Sequence, residues 1–281
     1  MLKVKKLRLN YSIEQICKAF GYSRQGYYKR QKTSSAQQAK EKILLLEIQK
    51  IRQRQPKVGG RKLHKMLKVN ERTKVAIRGR DSLFGLLRRT GLLVRNTKKY
   101  VRTTNSYHRF RIYKNLIKEM EVTRPGQVIV SDITYISTYE GFSYLSLITD
   151  KYSRKIIGYE LSKSLSIEGS MKALQMALRN LSGLGEIIHH SDRGIQYCSK
   201  AYVKKLKMNN AKISMTEENH VYENALAERV NGILKTEFML GEKLISFEIA
   251  KKMVDESVKT YNEERLHMSL NYLTPEQKFA A

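Results

Sequence analysis

Three carboxylates lie where an acidic residue needs a specific reason. Asp132 interrupts the apolar, β-branched segment 127–137, where a charge is costly unless it is paired or binds a metal. Asp192 follows a predicted strand at the start of the turn DRGIQY, a place where α/β sheets hold ligand groups. Glu228 lies on a predicted helix over residues 224–238. Carboxylates that are brought together repel one another, so this set predicts a bound cation.

The chemistry of these ligands indicates which cation and which reaction. Oxygen ligands without a cysteine cluster favour Mg²⁺ or Mn²⁺ over Zn²⁺. Two such ions, about 4 Å apart, activate an attacking oxygen and stabilise the leaving oxygen in phosphodiester displacement. Simpler interpretations stay open for each residue alone: Asp132 as an edge-strand residue, Asp192 as a turn cap, and Glu228 as half of a surface ion pair.

The predicted helix over residues 224–238 carries further polar side chains at helical spacing. They form one stripe: Asn224, Glu228, Asn231 and Lys235. An apolar stripe opposes them: Leu226, Val230 and Ile233. Because the polar stripe borders the predicted site, we expect Lys235 to hold a DNA phosphate and the two amides to contact DNA.

Other candidate ligands near the aspartates have simpler explanations. His189 and His190 precede Asp192 and suggest a histidine-containing metal site, but strand-end histidines are the preferred interpretation. Asp150, in the turn TDKYSR, is predicted to bond to its own backbone. No glycine-rich phosphate loop of the Walker or dinucleotide type occurs, so nucleotide use is not indicated.

The elements that must position these residues alternate between strand and helix patterns. Strands are predicted over 127–137, 142–150, 155–162, 186–191 and 212–215, and helices over 166–181 and 200–208. Three strands in a meander, followed by helix, strand, helix and strand, predict an α/β layer with a mixed five-stranded sheet and flanking helices.

The positive charge of the chain is concentrated in its first half. The formal net charge is +28 over 281 residues; residues 1–125 hold 34 basic and 7 acidic side chains, and residues 126–281 hold 20 and 19. A uniformly basic, histone-like protein is therefore excluded, and a nucleic-acid-binding half joined to a near-neutral globular half is predicted. Only Cys17 and Cys198 occur, and no apolar run approaches a membrane span, so the cytoplasm is the expected location.

The basic half is predicted to begin with helices. Residues 12–30 read as helix, turn and helix, and Arg24, Gln25, Tyr28 and Lys29 on the second helix would face DNA. A plain helical hairpin is the alternative. An amphipathic helix follows over 36–54, with Ile43, Leu46 and Ile51 on one face, packed within its own domain or forming a dimer.

A second basic region follows this helix. The tract VGGRKLHKML, which contains Arg61, begins a helix, and a second helix spans 81–90. The basic strand LLVRNTKKYVRTT comes next, so that a winged DNA-binding unit is predicted. We expect four parts: 1–56, 57–124, a catalytic core over 125–240, and a helical extension over 241–281.

At this point the motifs match a known family. They are SDITYIS, HHSDRGIQY and ENALAERVNGILKTEF, with 35 residues between Asp192 and Glu228 and Lys235 seven positions further on. The closing segment YNEERLHMSLNYLTPEQ also matches, through Asn262, Arg265, His267 and Pro275. The chain resembles the second-reading-frame transposases of bacterial insertion sequences of the insertion-sequence-three family, which are close to retroviral integrases. It departs from the pattern at Gly60, Ile129 and Glu223, where an aromatic, Trp and Asp are common.

The resemblance implies an RNase H-like core whose catalytic and metal-binding residues are Asp132, Asp192 and Glu228. It implies two Mg²⁺ ions, with Mn²⁺ as a substitute, cleavage at the ends of the element, and attack of the freed 3′-OH on target DNA. It also implies a homo-oligomer in a synaptic complex near the bacterial nucleoid, and fusion to an upstream first-frame product by frameshifting. Two alternatives use the same residues differently: a nuclease without strand transfer, and a DNA-binding regulator with a relic core.

Overall fold

The computed structural model describes residues 11–94, 110–217 and 224–281, which fall into two compact units. One unit comprises residues 1–51 and 59–93, and the other comprises residues 52–58 and 94–281. This grouping places the closing segment with the sheet, whereas the sequence predicted a boundary at residue 240. The predicted division into four parts stays a prediction.

The first unit is helical. Its helices are α1 (Ile13–Ala19), α2 (Arg24–Arg54), α3 (Gly60–Val69) and α4 (Arg80–Arg89). A capping box of Ser12 and Gln15 starts α1, and Gly21, with φ of 67°, follows its end, as the predicted helix-turn-helix requires. The second helix does not stop near residue 30 as predicted. It continues to Arg54 because no Gly or Pro occurs between Tyr27 and Gln55 to end it.

The predicted buried face of α2 is wrong. Leu44 and Ile48 are buried (5% and 0% exposed), whereas Ile43 and Leu46 are 45% and 53% exposed. The run ILLLEI is apolar in every direction, so the helical period alone does not select which side meets the rest of the unit. The predicted basic strand over 92–104 lies mostly outside the described residues, and the part that is described, residues 92–94, is not in a strand.

The second unit is built on a five-stranded mixed sheet, as predicted. The strands are β1 (Val128–Thr138), β2 (Gly141–Asp150), β3 (Ile156–Ser162), β4 (Ile188–Ser191) and β5 (Lys212–Met215). Their spatial order is β3-β2-β1-β4-β5. The meander β1-β2-β3 is antiparallel, while β4 pairs parallel with both β1 and β5. The central strand β1 therefore has an antiparallel neighbour on one side and a parallel neighbour on the other.

Helices cover both faces of this sheet. They are α5 (Ile167–Asn180), α6 (Ile195–Cys198), α7 (Lys200–Met208), α8 (Ala225–Glu237), α9 (Phe247–Glu263) and α10 (Pro275–Ala280). Apolar side chains of α5 and α7 share one core with Ile129 and Ile148, and those of α8 and α9 share the other with Ile136 and Leu145. Within the described ranges, no helix is long and apolar enough to cross a membrane.

The closing segment is tied to the sheet by polar side chains. Asn262 of α9 accepts a hydrogen bond from the Ile156 amide (2.9 Å) and donates one to the Ile156 carbonyl (2.9 Å). Arg265 donates two hydrogen bonds to Glu237 at the end of α8, at 2.9 and 2.7 Å. These contacts explain why residues 241–281 belong to the same compact unit as the strands.

Gly158 sets the distance between β3 and α5, which leads to a prediction. A Cβ atom at this position would lie 2.2 Å from the carbonyl oxygen of Ala173 and 2.9 Å from the Cβ of Ala177. Gly158→Ala should therefore lower the free energy of unfolding by about 3 kcal/mol, measured by urea denaturation, because backbone has to move. Gly232→Ala is the control: no atom lies within 4 Å of its added Cβ, and in a helix it should be neutral or stabilising.

Candidate active site

Two aspartates lie side by side at the sheet because β1 and β4 run parallel. Ser131 pairs with Ser191 in the register of these strands, and Asp132 and Asp192 are the next residues of each. Neighbouring strands are about 4.8 Å apart, so the two carboxylates start from adjacent backbone positions. The sequence signal for this arrangement is the dipeptide Ser-Asp, which occurs at the same place in both strands.

The carboxylate of Asp132 accepts two hydrogen bonds, and its surroundings raise its pKa. Its Oδ1 accepts from the Ile133 amide (2.9 Å), and its Oδ2 accepts from Asn231 Nδ2 (2.7 Å). Burial, followed by the charge of Asp192 and a smaller effect of Glu228, raises the pKa of Asp132 to about 7, against the lowering effect of these hydrogen bonds. Near neutral pH, and without a cation, Asp132 is therefore close to half protonated.

Asp192 starts the turn that leads from β4 into α6. Its Oδ1 accepts a hydrogen bond from the Gly194 amide (2.9 Å), which fixes the carboxylate at the carboxyl end of the strand. The next residue, Arg193, donates from Nε to the Thr216 carbonyl (2.8 Å) and ties this turn to the end of β5. Asp192 as a whole is partly exposed.

The polar stripe predicted to border the sheet edge is divided in the structure between buried and exposed positions. Asn224 and Asn231 are buried against β1: Asn224 donates to the Ser131 carbonyl (3.1 Å), and Asn231 donates to Asp132. Glu228 lies on the exposed side of α8. The two amides thus hold the strand and its carboxylate, and their contact with DNA stays a prediction that this placement does not support.

Lys235 is close enough to Asp132 for their charges to interact, and its contact with a DNA phosphate stays a prediction. It is partly buried, and burial lowers its pKa while the negative charge of Asp132 opposes that shift. The three acids are electrostatically coupled, with Asp192 acting on Asp132 more strongly than Glu228 does. Among the residues that the structure describes, no three His, Cys, Asp or Glu side chains are close enough together to enclose a metal ion. A three-carboxylate metal site therefore stays a prediction.

The neighbouring histidines are buried strand residues, as the sequence interpretation preferred. His189 Nε2 lies 2.8 Å from Ser131 Oγ and 3.0 Å from the Tyr202 hydroxyl, and burial lowers its pKa to about 3. His190 Nδ1 lies 2.9 Å from Ser214 Oγ. This buried network supports β1 and β4 beneath the aspartates, and sequence reasoning missed it because Ser131 and Tyr202 carry no distinctive pattern.

Asp150 is confirmed as a turn acid. Its carboxylate accepts from the amide and hydroxyl of Ser153, at 2.7 and 2.5 Å, and from the amide of Gly126 at 2.8 Å. These donors occupy it within its own turn.

The residues predicted to contact DNA in the first unit are all at the surface. Arg24, Gln25, Tyr28 and Lys29 are exposed in the first turns of α2, and Arg61 is exposed at the start of α3. Their exposure is compatible with DNA binding, and the contacts themselves stay predictions.

Comparison with known proteins places this arrangement in a family. Residues 122–220 and 209–275 each match a family described as integrase core domain. The chain is 34% identical over 265 residues to the insertion element IS600 uncharacterized 31 kDa protein of Shigella sonnei, across 92% of this chain and 96% of that protein. It is 30% identical over 285 residues to transposase InsF for insertion sequence IS3A of Escherichia coli (strain K12), across 98% and 96%.

A more distant likeness is to the structure of the HTLV-2 integrase catalytic core domain in complex with magnesium. It has a TM-score of 0.43 at 18% identity, across 56% of this chain and 97% of that one. The two relatives, by contrast, extend over nearly the full length of the chain and contain both of its halves. On this similarity, the chain belongs to the insertion-sequence-three family and is a DNA transposase with an RNase H-like integrase core.

Proposed function

We propose that this transposase cleaves and joins DNA at Asp132, Asp192 and Glu228, with two Mg²⁺ ions that Mn²⁺ can replace. The observation that carries the proposal is the register of β1 and β4, which puts two aspartates on adjacent parallel strands. The third acid of the set is Glu228, on the exposed side of α8, and its negative charge also raises the pKa of Asp132. Regulatory binding without catalysis would not require this repulsive grouping of acids.

The chemistry of the donors fits a divalent ion of the Mg²⁺ type. The candidate ligands are carboxylate oxygens, which such ions prefer, and the nearby histidines are already bonded within the sheet. Burial, and then the negative charge of Asp192, raise the pKa of Asp132, and a divalent cation would relieve the repulsion between the two carboxylates. Asp132, Asp192 and Glu228 would hold the ions. When bound, the ions would activate the attacking oxygen and stabilise the negative charge on the leaving oxygen.

The side chains of the chain itself position the reactants. Asn231 orients Asp132 by its 2.7 Å hydrogen bond, and Lys235 would bind the phosphate next to the scissile bond. In the first step water attacks a phosphodiester at the end of the element, and the P–O bond to the departing 3′ oxygen breaks, which leaves a free 3′-OH. In the second step this 3′-OH attacks a target phosphodiester, forms a new P–O bond and displaces the target 3′ oxygen.

The partners follow from this reaction. Joining two ends to one target requires a pair of active sites, so we propose a homo-oligomer that holds both inverted repeats and the target together. The basic residues of the first half would supply phosphate contacts, including those of Arg24, Lys29 and Arg61. Fusion to an upstream first-frame product would add a further DNA-binding element, and the bacterial nucleoid is where such a protein would act.

The metal site can be tested by Mn²⁺ binding as a function of pH. Because a proton and the ion compete for Asp132, whose pKa is about 7, the affinity for Mn²⁺ should fall about tenfold per pH unit below pH 7 and level off above pH 8. Electron paramagnetic resonance of free Mn²⁺ measures this in the full chain. Asp132→Asn should weaken binding and remove the pH dependence.

Glu256→Gln is the matched control, because it removes one charge from an exposed side chain of α9 without touching the site. It should bind Mn²⁺ as the wild type does. Binding that is independent of pH, or that is equal in Asp132→Asn and wild type, would contradict the proposed metal site.

A further inference from the structure

A basic cleft with an aromatic side chain lies in the first unit, formed by the helices α3 and α4. Its volume is about 440 Å³, within the range of about 300–1,000 Å³ that small-ligand pockets occupy. The residues that line it are Arg61, Arg80, Asp81, Phe84 and Arg88. Three guanidinium groups and one carboxylate around an aromatic ring make a site for an anion that also has a flat apolar part.

The spacing of α4 explains how the cleft is formed. Arg80, Phe84 and Arg88 are separated by four residues each, so they stand above one another on one side of the helix. The leucines of the same helix are buried, namely Leu83, Leu86 and Leu87, whereas Phe84 is partly exposed. Since the core is supplied by these leucines, Phe84 is not required to fill it. Arg61, in the first turn of α3, completes the cleft from the opposite wall.

Gly60 determines how Phe84 lies in the cleft. A Cβ atom built on Gly60 would be 2.8 Å from Cζ of Phe84 and 3.1–3.2 Å from its two Cε atoms. These distances put the added Cβ above the tip of the ring, so Gly60 covers part of one face of Phe84, and the rest of the ring lines the cleft. An added methyl group would push the ring out of this position.

The positive charges of the arginines that line the cleft are balanced by few acidic side chains. Within the described part of the chain, the side chains of Arg61 and Arg88 make no hydrogen bond or ion pair, and Arg80 pairs with the adjacent Asp81 at 3.0 Å. The positive charge also acts on His64 of α3. Burial first, and then the charges of Lys68 and Arg80, lower the pKa of its side chain. The wall of the cleft thus has a positive potential that favours phosphate.

We propose that this cleft binds one unpaired nucleotide of a DNA strand, with its phosphate on Arg61, Arg80 and Arg88 and its base stacked on Phe84. In a duplex, both faces of each base are covered by neighbouring bases, so an aromatic ring inside a cleft reaches only a base that has left the stack. Arginine clusters with an aromatic platform are the usual means of binding such strands. The inference concerns another part of the chain and does not depend on the proposed metal site.

Binding to single-stranded and blunt duplex oligonucleotides tests the proposal. Fluorescence anisotropy of the full chain, without divalent metal, measures both affinities. Phe84→Leu keeps an apolar side chain but removes the aromatic face, so affinity for the single strand should fall about tenfold. Affinity for the blunt duplex should change by less than about twofold, because phosphate contacts are retained. Phe84→Tyr should bind both as the wild type does.

The two adjacent glycines provide a matched pair of substitutions that replaces none of the side chains that line the cleft. Gly60→Ala should weaken single-strand binding in the same way as Phe84→Leu, because the methyl group displaces the ring. Gly59→Ala should have no effect, since no atom lies within 4 Å of its added Cβ. Should Phe84→Leu prove unstable by thermal unfolding, this pair decides the question.

The outcomes separate clearly. Preferential loss of single-strand binding in Phe84→Leu and Gly60→Ala supports the proposal. Equal losses for single strand and duplex would overturn it and leave the cleft as a surface for duplex phosphates. Unchanged binding of both oligonucleotides would also overturn it. Loss of Mn²⁺-dependent cleavage by changes at Asp132 would not affect these binding results, so the two proposals fail independently.

Discussion

Asp192→Asn is expected to reduce both end cleavage and strand joining by a factor on the order of 1,000 while DNA binding is retained. The substitution keeps the size of the side chain and an oxygen that can accept from the Gly194 amide, so the turn after β4 should form as before. It removes one of the two charges that adjacent strands bring together. A gel assay of cleavage and joining, with anisotropy for binding, measures the separate effects.

Glu186→Gln is the control for this change. Glu186 immediately precedes the β4 region and makes an exposed ion pair with Lys212, a type of pair that contributes little to stability. Its replacement should leave cleavage and joining within about twofold of wild type. Activity of Asp192→Asn within tenfold of wild type would contradict a catalytic role for this carboxylate.

The second large effect is expected at Asn231. Asn231→Ala removes the 2.7 Å hydrogen bond to Asp132 and should lower activity and Mn²⁺ affinity by about 10- to 100-fold, the usual cost of losing a group that orients a ligand. That hydrogen bond is the main factor that lowers the pKa of Asp132, so its loss raises this pKa further. The activity profile of the variant should therefore shift to higher pH, which a purely structural role would not produce.

Asn224→Ala is the matched comparison for Asn231→Ala. It also removes one buried hydrogen bond between the α8 segment and β1, but the acceptor is the Ser131 carbonyl instead of the carboxylate. Both variants should lose similar stability, about 1 kcal/mol. Only Asn231→Ala should shift the pH profile. Equal shifts in both variants would show that Asn231 acts through the fold of β1 and not on Asp132.

The sheet could be predicted because its strands differ from their surroundings in composition. The predicted strand over 212–215 has the observed bounds, and those of β1, β2 and β3 are within one residue. The prediction over 186–191 begins two residues before β4, which starts at Ile188. Helix α6 was missed because its four residues are too short to show a period.

The helical half was harder to predict because periodicity loses meaning where apolar residues are contiguous. In α2 the buried residues are Leu44 and Ile48, one position away from the predicted face. Nor did sequence show that α2 is continuous: the predicted helices left out residues 31–35, although none of these residues ends a helix. Here only tertiary contacts decide which side is buried.

The candidate site shows the same limit. Asp132 and Asp192 were identified because a charge in an apolar strand and one at a strand end are unusual. The amides of Asn224 and Asn231 share a helical stripe with Glu228, and this spacing led to the prediction that both amides contact DNA. In the structure the amides of Asn224 and Asn231 bond to β1, whereas Glu228 is exposed; the helical period alone does not show which members of one stripe are buried.

The most direct test of the account is strand transfer by the full chain. The substrate is a duplex that carries a pre-cleaved 3′-OH at the end of the element, incubated with target plasmid and Mn²⁺. Wild type should join this end covalently to the plasmid, and Asp192→Asn should not. Hydrolysis of DNA without any joined product, or joining that survives in Asp192→Asn, would contradict the proposed chemistry at Asp132, Asp192 and Glu228.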